Sequence, residues 1–201
     1  MKNLATQTKE LYERNALAFE RQRNKSLFER SWLNRFLSLI PKEGAILDVG
    51  CGTGEPIAQY ILAQQYEVVG LDVSPKMIEL VSHRFPDQKW LCADMRTFSL
   101  SQPFEGLISW GAFFHLTPDE QRSTLPRFIE QLVPGGVLLL TIGHEAGEVT
   151  GMVNGEEVYH SSLSIEEYKK ILVHNHCQLL DVVLQDSSCQ NHSILLAQKK
   201  G

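Results

Sequence analysis

The ten residues from Ala45 to Gly54, Ala-Ile-Leu-Asp-Val-Gly-Cys-Gly-Thr-Gly, restrict the fold more than any other stretch of the chain. Ala45 to Val49 is a short apolar run suited to a buried parallel strand. Gly50, Gly52 and Gly54 then make a loop that turns sharply and lets backbone touch a ligand, and Pro56 stands where a first helical turn tolerates proline. Strand, glycine loop and helix start in that order build a nucleotide-type site in an α/β fold. A dinucleotide fingerprint needs glycine at position 55, which is Glu55, and no Gly-Lys-Ser/Thr follows to make a P-loop. Asp48 before the loop and Glu55 after it would repel a pyrophosphate; they suit a ligand carrying an ammonium and a sulfonium.

A second acidic position strengthens this reading. Glu67 to Leu71 is another apolar run, and it ends in Asp72, where a carboxylate can accept both hydroxyls of an adenosine ribose. A helix cap reinforced by Ser74-Pro75 is compatible with that role. The block Ile46 to Gly54, with Asp72 beyond it, resembles the first motif of class I S-adenosylmethionine-dependent methyltransferases. The resemblance is strongest over Ala45 to Ile142, including the Pro134-Gly-Gly136 turn, and a closing hairpin extends it to Gln198. It implies an α/β, Rossmann-like, seven-stranded, mostly parallel sheet with a C-terminal antiparallel hairpin and helices on both faces. S-adenosylmethionine is the cofactor it implies.

Taken in order, the chain starts with two amphipathic helices, Leu4 to Phe19 and Phe28 to Ile40, separated by the basic break Arg21 to Lys25. The break suits a solvated turn first; the functional alternative is a segment folded over the cofactor, with Arg23 or Arg21 pairing a carboxylate. A helix from Ile57 to Gln64 follows the glycine loop, and a second from Ser74 to Phe85 carries Met77 beneath the ribose or adenine. Gln88 to Cys92 is a third strand, followed by Ala93, Asp94 and Met95. Phe104 to Trp110 is a fourth, leading into Gly111, Phe113, Phe114 and His115. Thr117-Pro118 caps a helix running to Val133, and Pro134-Gly-Gly feeds a fifth strand ending at Ile142. Ser164 and Glu167 form a capping box for a last helix, before strands at Leu179 to Gln185 and Ser193 to Gln198.

By position, the resemblance implies cofactor contacts at Arg23, Asp48, Gly50, Cys51, Gly52, Gly54, Asp72, Val73, Met77, Ala93, Asp94, Met95, Trp110 and Gly111. Methyl transfer from a sulfonium needs no acid for its leaving group, so positioning and exclusion of water supply most of the rate. Acceptor-side candidates are His115, after the fourth strand, with Tyr159 and His160, which close a glycine-rich excursion from His144 to Ser162. Asn154-Gly155 marks a tight hairpin in that excursion. Folded over the sheet edge, it would face an apolar wall of Trp110, Phe113 and Phe114.

One domain spanning 1–201 is expected, divided into an N-terminal helical cap (1–42), a cofactor-binding core (43–142), an acceptor-side excursion (143–163) and a final helix and hairpin (164–201). The formal net charge of −5 gives no basic field for nucleic acid or an anionic membrane, and no apolar run is long enough to span a bilayer. Four scattered cysteines suggest neither a zinc site nor a disulfide framework. No metal is expected. The expected setting is cytoplasmic, as monomer or homodimer, with a small-molecule methyl acceptor. A protein or nucleic-acid methyltransferase and a non-catalytic S-adenosylmethionine-binding regulatory module are the alternatives.

Overall fold

In a computed structural model, which describes residues 2–201, parallel strands β1 (Ala45–Val49), β2 (Glu67–Asp72), β3 (Lys89–Cys92), β4 (Phe104–Ser109) and β5 (Leu132–Ile142) share a sheet with β8 (Cys177–Asp186) and β9 (His192–Lys199). The seven strands run in the order β3-β2-β1-β4-β5-β9-β8, and β9 is antiparallel to both neighbours. The direction of winding switches between β1 and β4, so the loops after those two strands diverge and leave a crevice at their carboxyl ends. The excursion forms a separate two-stranded sheet of β6 (Gly147–Val153) and β7 (Glu156–Ser162). Asn154 and Gly155 join them at φ 49° and 81°, the paired left-handed geometry that a two-residue turn requires.

Alternation along the strands sends side chains into two cores. Leu47, Leu107, Leu138 and Leu140 meet Leu125 and Phe128 of α5 (Pro118–Glu130) and Leu172 of α6 (Ile165–His174) on one face. Ile46, Ile108, Val137 and Leu139 meet Leu33 and Phe36 of α2 (Arg30–Ser38) and Ile61 of α3 (Ile57–Ala63) on the other. The remaining helices are α1 (Lys2–Gln22) and α4 (Pro75–Arg84).

Several boundaries move from their expected places for local reasons. α1 continues through Arg21, so the basic break begins at Arg23. α2 starts only at Arg30, because Leu27 takes a left-handed φ of 57°. α5 stops at Glu130: the Gln131 carbonyl accepts from Phe104 N at 2.8 Å and draws the next residue into the sheet. Gly135, at φ 83°, sits in a step within β5, where pairing with β4 jumps from Phe104↔Leu132 to Gly106↔Val137. Thr117 and Glu120 form a complete capping box on α5. At α6, Ser164 caps Glu167 N, but the Glu167 carboxylate leaves the box and accepts from Arg122 Nε at 2.6 Å.

Candidate functional site

The glycine loop is fixed from below by β2. Gly50 N and Cys51 N both donate to the Leu71 carbonyl, at 2.8 and 3.1 Å. Asp72 then takes Gly52 N on one carboxylate oxygen at 3.0 Å and Ser74 N on the other at 2.9 Å. A Cβ at Gly50, which has φ 78°, would stand 2.3 Å from the Ala112 Cβ; glycine is what lets the loops after β1 and β4 touch. At Gly52 the nearest atom to a Cβ is 3.9 Å away on Phe19, so that position looks into open space.

That space is a cavity of about 400 Å³ at the carboxyl ends of β1, β2 and β4, a ligand-sized volume. All fourteen residues expected to contact a cofactor line it, from Arg23 through Asp48, Gly52 and Asp72 to Asp94 and Gly111. Asp48 is 3% exposed, and no described residue donates a hydrogen bond to its carboxylate. Burial, then the charge of Asp72, pushes its carboxyl up to about 7. Burial also raises Asp72, against the pull of the Ser74, Gly52 and Val73 amides. Such an unpartnered carboxylate facing a cavity fits a cationic ligand group. Asp94 is held by Arg96, which bridges it to Glu120 across the cavity rim.

α1 closes the cavity from above, which the sequence shows only as an amphipathic stripe. Lys9, Tyr12 and Phe19 face the cavity. Glu13 accepts from Ser74 Oγ and from Lys76 N, pinning the helix to the start of α4. Further along, Glu20 and Lys25 join Arg84 and Glu55 in a four-charge cluster, and Arg84 also donates to the Thr53 carbonyl at 2.6 Å. The α1 segment is thereby tied to the glycine loop itself.

The acceptor-side expectations fare unevenly. His115 lines the cavity, but both its ring nitrogens are occupied. Nδ1 lies 2.9 Å from the Tyr159 carbonyl, an acceptor only, so that nitrogen carries the proton; Nε2 accepts from Tyr12 Oη at 2.8 Å. Burial, followed by the neighbouring His160, takes His115 down to about 3, so the ring is neutral. Tyr159 and His160 do not line the cavity, contrary to their expected placement. Tyr159 is fully buried with its hydroxyl on Glu148, and His160 packs behind His115 and Phe114. Phe113 turns into the core against Phe128, and Phe114 lies behind the cavity wall; of the expected aromatic wall, Trp110 alone lines the cavity. The hairpin instead braces α1, with Arg14 and Asn15 bonded to Glu156 and Asn154 bonded to Asn15. Tyr12 and His192 are cavity residues that pattern reading misses: one sits on an amphipathic helix, the other at a strand start far along the chain.

A mostly parallel sheet with this strand order, a glycine loop at its switch point and an acidic residue ending β2 define the fold of the class I S-adenosylmethionine-dependent methyltransferases. The comparisons agree: residues 46–136 match a family described as a methyltransferase domain. The dTDP-4-amino-2,3,4,6-tetradeoxy-D-glucose N,N-dimethyltransferase of Saccharopolyspora spinosa is 29% identical over 124 residues, 60% of this chain and 49% of that protein. A trans-aconitate 2-methyltransferase of Methylobacterium radiotolerans is 34% identical over 119 residues, 57% of this chain and 44% of that protein. The chain thus matches about half the length of the curated relatives. Among solved structures, an amino pentose methyltransferase of Micromonospora echinaspora with bound S-adenosylmethionine superposes with a TM-score of 0.72 at 23% identity, covering 91% of this chain and 95% of that one. The 1,6-didemethyltoxoflavin-N1-methyltransferase of Burkholderia thailandensis gives 0.76 at 16% identity, over 100% of this chain and 90% of that one.

Proposed function

We propose that the protein is an S-adenosylmethionine-dependent methyltransferase acting on a small polar acceptor. The observation that carries this is the unpartnered Asp48 carboxylate in the same cavity as Asp72 and the open face of Gly52, which suits a ligand with cationic groups at one end and a ribose at the other. The cofactor supplies a methyl group on a sulfonium. Asp72 has a lone pair left on each oxygen for the ribose hydroxyls, Asp94 and Met95 meet the adenine, and Arg23 meets the amino-acid carboxylate. Residues 1–42 act as the cap, 43–142 as the cofactor core, 143–163 as a brace for cap and His115, and 164–201 as the closing helix and hairpin.

His115, neutral and bonded on both nitrogens, is not placed to take a proton from the acceptor directly. The group presented to the cavity is the Tyr12 hydroxyl, whose proton points to His115 and whose oxygen lone pairs remain for an acceptor N–H or O–H. This arrangement orients a nucleophile that is already neutral, such as an unprotonated amine, more readily than it generates one. Tyr159 holds His115 in place through its carbonyl, and His160 only packs behind the ring. Relatives acting on amino sugars and on trans-aconitate define the first panel to try. S-adenosylhomocysteine formation with any member supports the proposal; tight cofactor binding without turnover across amines, hydroxyls and carboxylates supports the regulatory module instead. Among the described residues no group of three or more His, Cys, Asp or Glu is placed to hold a metal ion. Nor is any described helix long and apolar enough to cross a membrane. A cytoplasmic enzyme without nucleic-acid partners, monomeric or homodimeric, is the setting we propose.

A further inference from the structure

The connector between α1 and α2 buries an ion pair that a simple turn does not require. Glu29 is completely buried at the N-cap position of α2, yet its side chain makes no capping bond. It turns inward to Arg23 Nη2 and leaves its other oxygen, Oε2, without a hydrogen bond. A carboxylate withdrawn from water is costly unless its partner is held firmly. Arg23 is so held: Nη1 donates to the Asn24 carbonyl at 3.2 Å, and its guanidinium lies 5.5 Å from the centre of the Phe28 ring. Phe28 leans in turn on His192, at 5.4 Å, and His192 on Trp110, at 5.7 Å. The guanidinium is thus locked at one end of the cavity that Arg23, His192 and Trp110 help to line.

We propose that Glu29 is a positioning residue: it holds Arg23 in one pose so that the guanidinium receives the carboxylate of a bound ligand. This rests on the methyltransferase reading above. The carboxylate comes either from the amino-acid end of the cofactor or from an acidic acceptor. S-adenosylhomocysteine carries that carboxylate and 5′-methylthioadenosine lacks it, so the two separate the cofactor source, while trans-aconitate titrated onto protein loaded with S-adenosylhomocysteine probes the acceptor source.

The test is calorimetry on Glu29→Gln, which keeps the shape and removes the charge, with thermal melting to confirm the fold. We expect S-adenosylhomocysteine to bind about tenfold more weakly, the scale of one charge-assisted hydrogen bond, with 5′-methylthioadenosine within about twofold of wild type. Weakened trans-aconitate binding with S-adenosylhomocysteine unchanged also supports the proposal and moves the carboxylate to the acceptor. Unchanged affinity for all three, or equal loss for the two nucleosides, overturns it. In an Arg23→Met background Glu29→Gln should change nothing further; additive losses would show that Glu29 acts elsewhere, and overturn it too. Wild-type protein that binds neither nucleoside would instead refute the methyltransferase reading.

Discussion

Asp48→Asn should make the ligand-free protein more stable and its cofactor binding weaker, by amounts that depend on pH. The carboxyl is raised from 3.8 to about 7, chiefly by burial and then by Asp72. Between those values the native state keeps a proton that the unfolded chain has released, so stability falls as pH rises through that window and levels off above it. At 1.36 kcal/mol for each pH unit between the two values, the cost above pH 7 reaches about 4 kcal/mol, an upper bound because Asp72 shares the same charge repulsion. The asparagine variant carries no such cost. Urea unfolding of both proteins, without ligand, at intervals from pH 4 to pH 8 measures it. Near pH 4 the curves should coincide within the effect of the amide itself, and the gap should open toward pH 8 in favour of the variant. Parallel curves across the whole range would refute an uncompensated buried carboxylate.

Other substitutions separate the loop, the ribose contact and the acceptor side. Gly50→Ala forces a Cβ to within 2.3 Å of Ala112 in a left-handed conformation and should cost more than about 2 kcal/mol in denaturant titrations. Gly52→Ala, with open space around it, should cost about 1 kcal/mol yet abolish S-adenosylhomocysteine binding; equal stability losses would refute the contrast. Asp72→Ala removes the acceptor for Gly52 N and Ser74 N as well as the ribose contact, so affinity should fall by at least 1.5 to about 3 kcal/mol by calorimetry. Tyr12→Phe should lower kcat with cofactor affinity held, while His160→Gln, outside the cavity, should leave both intact. Loss of turnover in His160→Gln alone would reverse the proposed roles.

The sheet and its ligand crevice were legible because their signals are local. The run Ala45 to Val49, the glycines at 50, 52 and 54 and the acid at 72 each report on backbone geometry at their own position, and all fourteen expected cofactor positions line one cavity. The acceptor side was not legible, because it depends on how three separated segments pack. Tyr12 reads as one more residue of an amphipathic helix until α1 is packed against β7 and α4, and His192 lies at the start of a strand that only the sheet order brings beside Trp110. In the sequence, Tyr159 and His160 read as polar groups closing a hairpin. The register of β6 on β7 sends the Tyr159 hydroxyl to Glu148 and its carbonyl to His115, so the hairpin supports the site without lining it.

Calorimetric titration of the wild-type protein with S-adenosylhomocysteine, and separately with NAD, tests the central claim most directly. Carboxylates at Asp48 and Asp72 around a loop with Glu55 where a dinucleotide fingerprint needs its last glycine predict one S-adenosylhomocysteine bound per chain and no measurable NAD binding. Saturable NAD binding, or no heat with S-adenosylhomocysteine from a folded protein, would contradict it.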